Sequence, residues 1–305
     1  MNNIKKIGLS ALAGSLVATS AFAGSMDVSG SAKISYKSNG KEKVTGNPFS
    51  NTKAITFSGS GEIDNGWAIS TGYTMSDAAF STSYVSIDMG DAGTFSLQNG
   101  TDLHGLDKYQ DVMPTAGEQV WDDLNGEANG VLTGNKTNKI GYGTTVAGAN
   151  ISADYNKQQD GGSGKSLAVD YAPMDNLMVF YAMSDEYAGT NASLDQSTFG
   201  GTYTAGALTA GLQITSIDSA TAGADTDRTH IGASFAVNED LSVSFGMSTV
   251  DFEAAAKSDQ EDSGFSASYT MGSMSLNASF NTSDNVGGTS GTDDEHKEIG
   301  LAFAF

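Results

Sequence analysis

Apolar and polar residues alternate along most of this 305-residue chain, and this period of two limits what the chain can form. In the first such segment one face carries Met26, Val28, Ala32, Ile34 and Tyr36, and the residues between them are mostly polar. A strand places successive side chains on opposite faces, whereas a helix repeats every 3.6 residues. The pattern therefore predicts a sheet with one apolar and one polar face.

The same alternation recurs in sixteen segments that continue to the last residue. Short and long connections alternate between them without exception. Seven are short and rich in Gly, Asn and Asp, which tolerate hairpin-turn dihedrals, and the other eight are longer, polar and acidic. Transmembrane barrels show this asymmetry, with the long loops on the outer side. After the N-terminal segment, no stretch approaches the roughly 18 consecutive apolar residues of a membrane-spanning helix. If the chain crosses a membrane, it must do so as a closed sheet, because only helices and closed barrels satisfy their backbone in lipid.

Aromatic residues recur near the ends of the apolar faces, where amphipathic rings favour a lipid–water interface. They are Tyr36, Trp67, Tyr155, Tyr171, Tyr203, Tyr269, Phe280 and Phe305. A soluble β-sandwich or adhesin also shows alternation, but such proteins mainly bury Val, Ile and Leu. We therefore predict an all-β fold, a transmembrane antiparallel β-barrel of about sixteen strands with an even strand count.

The N-terminus has the features of an export signal, and the composition agrees with export. Lys5 and Lys6 precede an apolar or small stretch from Ile7 to Ser20, and Ala21-Phe22-Ala23 forms a small-x-small cleavage pattern. We predict a signal peptide at 1–23 and a barrel domain at 24–305. The absence of Cys excludes thiolate catalysis, and the net charge of −21 at pH 7 excludes nucleic acid as a partner.

The C-terminal segment from Glu298 to Phe305 ends the chain on an aromatic residue and resembles the C-terminal signal of bacterial outer-membrane barrels. In that class the terminal aromatic, here Phe305, is read by the barrel-assembly machinery. Strand count, connection pattern and length resemble the Gram-negative general porin family, in particular its alphaproteobacterial members. The resemblance implies a bacterial outer-membrane location, contact with lipid and lipopolysaccharide, a homotrimer, and a water-filled pore in each subunit.

In that family the third long loop folds into the barrel and narrows it. Here the third loop, at about 99–135, is the longest, and loops of such length are generally functional. Its candidate constriction residues are seven carboxylates, Asp102, Asp107, Asp111, Glu118, Asp122, Asp123 and Glu127. Such a group favours cations over anions. The alternative is a solvated acidic surface loop.

Strand parity gives the candidate cations of the pore wall. If Ile34, Ile140 and Ile231 face lipid, then Lys33, Lys139 and Arg228 face the lumen. General porins carry a cluster of Arg on this wall, whereas the chain has one Arg, so that cluster cannot be present as such. The alternative is that these three side chains merely avoid lipid. We expect a pore with weak cation selectivity.

Acidic clusters in two outer loops are candidate Ca²⁺ or Mg²⁺ ligands, although no segment has EF-hand spacing. These residues are Asp225, Asp227, Asp293, Asp294 and Glu295. The alternative is a solvated loop surface, and no other cofactor is expected. His104, His230 and His296 lie in separate segments without metal-ligand spacing, and no nucleophile motif is present, so we do not expect an enzyme.

The sequence therefore predicts a porin for passive diffusion of small hydrophilic solutes. A substrate-specific channel is one alternative, but lumen-facing aromatics are few, with Tyr84 and Phe180 as the exceptions. A surface adhesin or structural barrel is the other. The path of the third loop distinguishes these functions, because an inward loop constricts a channel and an outward loop displays a binding surface.

Overall fold

The computed structural model describes residues 24–40, 46–77, 79–134, 136–157, 162–188 and 192–305, and the predicted signal peptide lies outside them. Within these ranges the chain forms sixteen β-strands: β1 (Ser25–Asn39), β2 (Phe49–Glu62), β3 (Ala68–Ser76), β4 (Ala79–Asp88), β5 (Thr94–Asn99), β6 (Lys139–Val146), β7 (Ala149–Lys157), β8 (Ser163–Met174), β9 (Leu177–Ala188), β10 (Ala192–Ala205), β11 (Leu208–Ser219), β12 (Thr226–Ala236), β13 (Leu241–Phe252), β14 (Gln260–Met271), β15 (Met274–Asp284) and β16 (Asp294–Ala304). Three short 3₁₀ helices accompany them, at Gly90–Ala92, Leu106–Tyr109 and Val286–Gly288. No helix in the described ranges has the length and apolarity needed to span a membrane.

The strands form one closed antiparallel barrel, as predicted. Each strand pairs with its neighbour in sequence, and β16 returns to pair with β1. At this seam Gly30 N donates to Phe305 O at 2.6 Å and Phe305 N donates to Gly30 O at 3.0 Å. Closure leaves no unpaired edge, which a sheet in lipid requires.

The burial pattern is inverted relative to a soluble protein. Ile231, Phe245 and Phe265 on the outer face are 51–53% exposed, whereas Gln213 and Thr215 on the inner face are completely buried. The eight aromatic residues noted from the sequence all lie among the exposed outer residues. Large apolar side chains pointing outward around a closed barrel indicate that lipid is their solvent.

The strict alternation of long and short connections predicted from the sequence is wrong at one position. β3 ends at Ser76 and β4 begins at Ala79, so the second outer connection has two residues, fewer than the five between β4 and β5. The connection is shorter than predicted because β3 and β4 remain paired as far as Ser76 and Ala79, beyond the last regularly alternating apolar residues. A register shift follows Thr74.

The third outer connection, residues 100–138 between β5 and β6, folds into the barrel, as predicted. We call it the third loop. Among the described residues, the buried apolar clusters of the protein lie between this loop and the barrel wall. One comprises Leu106, Tyr109, Val131, Ala168, Phe180 and Ala182, and the other Met113, Val120 and Trp121.

Candidate functional site

The third loop follows the inner wall of the barrel and leaves one side of the lumen open. Gly105 N donates to Ser152 Oγ on β7 at 3.1 Å, Leu132 N to Gln196 Oε1 on β10 at 2.8 Å, and Asn125 N to Asp294 Oδ2 on β16 at 2.9 Å. The inner faces of β2, β3 and β4 consequently line the open channel. By strand register these faces are rich in hydroxyls, including Thr52, Thr56, Ser70, Thr74 and Ser86.

Two aromatic contacts fix the loop against the wall. The ring of Tyr109 stacks on that of Phe180 with centroids 4.2 Å apart, and Trp121 lies over His230 at 4.4 Å. Phe180, which parity placed in the lumen, is therefore covered by the loop and only 2% exposed. Tyr84 faces the open side, where its ring lies against Gly72, a residue with no side chain to obstruct it.

A buried ion-pair cluster joins the loop to the wall at β6 and β7. Lys139 Nζ lies 2.5 Å from Asp107 Oδ2 and 3.4 Å from Asp154 Oδ2, and none of the three side chains is more than 4% exposed. Asp107 and Lys139 therefore lie behind the loop, not at the open channel where the sequence placed them. The physical reason is that the loop covers β6 to β8, so inward-facing groups there meet protein instead of water.

Arg228 is covered in the same way. Its guanidinium donates to Asn129 O of the loop at 2.6 Å, and the residue is 8% exposed. Of the three wall cations predicted from parity, Lys33 alone borders the open lumen, with 30% of its side chain exposed. Parity gives the face of a residue correctly, but it carries no information on what covers that face.

The loop meets β1 and β16 through a second ion-pair cluster. Lys33 Nζ lies 3.1 Å from Glu118 Oε1 and 2.6 Å from Glu298 Oε1. Lys37 Nζ lies 2.7 Å from Asp123 Oδ2 and 3.1 Å from Glu298 Oε2. Sequence reasoning missed the roles of Lys37 and Glu298. Two features of the sequence could have indicated them. Lys37 shares the inner face of β1 with Lys33, and in a closed barrel the last strand, which carries Glu298, must lie beside the first.

The remaining loop carboxylates border the lumen with fewer cationic partners. Asp102 Oδ2 pairs with Lys136 Nζ at 2.8 Å. Asp111 Oδ1 accepts from Trp121 Nε1 at 3.4 Å, and Asp122 Oδ2 accepts from the backbone N–H of Gln119 at 2.8 Å. Glu127 is exposed.

Burial and mutual repulsion disfavour the charged forms of two of these groups. The pKa of Asp122 is raised to about 7, mainly by burial and further by the nearby charges of Asp111, Glu127 and Glu118. Burial also raises the pKa of Asp111, while the hydrogen bond from Trp121 and the charge of Lys136 lower it. In both groups burial makes the largest contribution, so each carboxyl keeps its proton to a higher pH than an exposed carboxyl would.

Of the acidic residues predicted for the outer loops, Asp225 and Asp293 lie in loops, whereas Asp227 lies in β12 and Asp294 and Glu295 lie in β16, because strand pairing extends beyond the apolar segments. Asp294 accepts from Asn125 N and Glu295 N, both at 2.9 Å, while Asp225 accepts from Ser219 N at 2.7 Å. Divalent-ion binding by Asp225, Asp227, Asp293, Asp294 and Glu295 stays a prediction. In the described ranges, possible metal ligands gather within 4.8 Å of one another elsewhere, at Glu118, Asp123, His296 and Glu298.

Comparisons with known proteins agree with this architecture. The structure of OmpT, an outer membrane protein of Vibrio cholerae in its trimer form, is 12% identical, with a TM-score of 0.70 over 93% of this chain and 100% of that one. The anion-selective porin from Comamonas acidovorans is 16% identical, with a TM-score of 0.68 over 92% and 100%. No curated protein matches significantly. The family model described as Gram-negative porin matches residues 8–305, and this chain, a barrel with an inward third loop, therefore belongs to the Gram-negative porin family and forms a channel in the bacterial outer membrane.

Proposed function

We propose that this porin is a general diffusion channel for small hydrophilic solutes with a weak preference for cations. The observation that supports this proposal most strongly is the unequal distribution of charge at the constriction, where an acidic loop faces a wall of uncharged hydroxyls. Hydroxyls hydrogen-bond to water and to polar solutes without selecting a charge. The sign of the selectivity therefore depends on the loop and on β1.

The charge count at the constriction favours cations. Lys33 and Lys37 are shared among three carboxylates, those of Glu118, Asp123 and Glu298. Asp111 adds further negative charge, and Asp122, whose pKa is raised to about 7, adds a partial one at neutral pH; both accept hydrogen bonds from neutral donors. A surplus of fixed negative charge in a narrow aqueous pore raises the local cation concentration and the barrier for anions.

The fold by itself does not set this preference. The Comamonas acidovorans porin, described as anion-selective, shares the barrel at 16% identity. Selectivity must therefore come from the residues at the constriction, and a substitution there should change it.

The reversal potential in a KCl gradient across a planar bilayer tests the proposal. We expect the wild-type channel to prefer K⁺ over Cl⁻, and we expect Asp111→Asn with Asp122→Asn to move the reversal potential toward zero. The matched control removes the same two charges at Glu239 and Asp240 in the turn between β12 and β13. Anion preference in the wild type, or an equal shift in the control, would contradict the proposal.

The inward loop favours a diffusion channel over an adhesin, since the loop narrows the lumen and is not displayed outside. A sugar-specific channel would need a track of aromatic rings, and Phe180, the second candidate after Tyr84, is buried under the loop. We therefore expect large stepwise currents in single-channel recordings, with no saturable block by sugars. A saturable block by one sugar would favour the substrate-specific alternative.

We further propose a homotrimer that contacts lipopolysaccharide and is inserted by the barrel-assembly machinery. The trimer proposal is supported by the OmpT structure, which is described as a trimer form. The assembly proposal is supported by the terminal ring of Phe305, which is 75% exposed on the outside of the barrel. Light scattering of the detergent-solubilised protein, corrected for bound detergent, should give three chains per particle.

A further inference from the structure

We propose that the constriction contains a binding site for a transition-metal dication of the Zn²⁺ class, formed by His296, Glu118, Asp123 and Glu298. The site lies where β16 and β1 meet the third loop. The inference concerns metal binding and does not depend on the proposed cation preference.

The four side chains converge on one point. His296 Nε2 lies 3.7 Å from Asp123 Oδ2, 3.7 Å from Glu298 Oε2 and 3.8 Å from Glu118 Oε2. Adjacent ligand atoms of a tetrahedral zinc site, with bonds of about 2.0–2.1 Å, are separated by about 3.4 Å. The nitrogen–oxygen distances therefore need to shorten by about 0.3–0.4 Å to surround a metal ion, and the carboxylate oxygens, which lie within 4.8 Å of one another, by up to about 1.4 Å.

The orientation of His296 is the independent observation that points to a ligand. The residue is completely buried, and its Nδ1 lies 3.0 Å from Asn39 Oδ1, which can only accept a hydrogen bond. Nδ1 therefore carries a proton, and in the neutral ring the lone pair of Nε2 is directed at the three carboxylates without a hydrogen-bond partner. A buried unpartnered acceptor is costly, and a bound cation satisfies it.

This arrangement is typical of protein metal sites. A histidine ligand usually donates its second ring N–H to an acceptor that holds the ring in place, the role that Asn39 has here. One imidazole nitrogen with carboxylate oxygens suits Zn²⁺ and similar first-row metals, whereas Mg²⁺ and Ca²⁺ prefer a shell made of oxygen alone. Glu118 and Asp123 are 23% and 32% exposed, so an ion can reach them from the lumen.

The two lysines of the cluster have different relations to the site. Lys33 contacts the Oε1 atoms of Glu118 and Glu298, whereas the proposed ligand atoms are the Oε2 atoms, so it can remain when a metal binds. Lys37 contacts Asp123 Oδ2 and Glu298 Oε2, two of the proposed ligand atoms. Lys37 is therefore a competitor of the metal, and a variant without its ammonium should bind the metal more tightly.

Isothermal titration calorimetry of the folded protein in detergent, with ZnCl₂ and separately with MgCl₂, tests the site. We expect one Zn²⁺ per chain, bound at least about tenfold more tightly than Mg²⁺. His296→Asn should weaken Zn²⁺ binding by about tenfold or more, and Lys37→Met should strengthen it. His104→Gln is the matched control, since His104 packs against Gly141 and Gly143, outside the cluster.

Several outcomes would overturn the site. They are equal affinity for Zn²⁺ and Mg²⁺, unchanged Zn²⁺ affinity in His296→Asn, or weaker Zn²⁺ binding in Lys37→Met. Because Lys37→Met predicts a gain, impaired folding of the histidine variant would not mimic the expected result. The calorimetry would give the same answer for a pore of either selectivity, so failure of the site and failure of the proposed function are distinguishable.

Discussion

Replacing Lys139 by Met should weaken the docking of the third loop against the barrel wall. Lys139 Nζ is the cation between Asp107 Oδ2, at 2.5 Å, and Asp154 Oδ2, at 3.4 Å. Without it two carboxylates remain buried, and removing one partner of a buried pair costs about 3–5 kcal/mol. Asp107 belongs to the loop and Asp154 to the wall, so both regain water when the loop moves away. The cost therefore falls on loop docking, and it corresponds to an increase of about 10²- to 10⁴-fold in the undocked-to-docked ratio.

The absence of cysteine from the chain makes this population measurable. Val131→Cys places one thiol in the buried cluster beneath the loop, at a position that is completely buried. If reclosing is faster than the reaction, the rate of labelling by a small maleimide follows the undocked population. We expect Lys139→Met to accelerate labelling by about 100-fold or more. Thr52→Cys, exposed on the open wall, should react at the same rate with and without the substitution.

A charge-neutral version separates electrostatics from packing. Lys139→Met combined with Asp107→Asn and Asp154→Asn removes the uncompensated charges and should restore most of the slow labelling, because exchanging a whole buried ion pair for neutral groups is often nearly neutral. Labelling in Lys139→Met within about threefold of the parent would refute the reasoning, since it would mean that the buried charges contribute little to docking.

Three further predictions concern the same loop. As the pH falls, the preference for K⁺ should begin to decrease at a pH above the usual carboxyl range. The reason is that the raised pKa of Asp111 makes this residue lose its charge at a higher pH than an ordinary aspartate. Reversal potentials measured between roughly pH 4 and 8 would show this. Gly232→Val should lower single-channel conductance by pushing the loop into the lumen, since a Cβ there lies 3.0 Å from Pro114 O, whereas Ser234→Val on the same inner face should not. Phe180→Ala should destabilise the protein by about 3–5 kcal/mol, seen as a lower unfolding midpoint, because a ring that is 2% exposed and stacked on the loop is lost.

The barrel could be predicted from the sequence because lipid imposes a local rule. Every spanning residue must point either to lipid or to the lumen, so residues such as Ile34 and Lys33 reveal their faces by parity alone. Closure then follows, since a sheet in lipid cannot leave an edge unpaired. The same rule predicted that Lys33, Lys139 and Arg228 lie on the inner face, and the strand registers agree.

The constriction could not be predicted in the same way, because the third loop has no periodicity and its contacts are distant in sequence. Lys37 and Asp123 are separated by 86 positions, and His296 meets Asn39 across 257 positions through barrel closure. Which carboxylates border water was decided by the path of the loop.

The sequence by itself thus determined the closed barrel, its lipid-facing and lumen-facing residues, and an acidic third loop. Only the tertiary structure decided that Asp107 and Lys139 are buried together and that His296 meets three carboxylates. The physical reason is one of range. Facing within a strand depends on the next residue along the chain, whereas burial and ion pairing in the pore depend on where a long irregular loop packs against strands far from it in sequence.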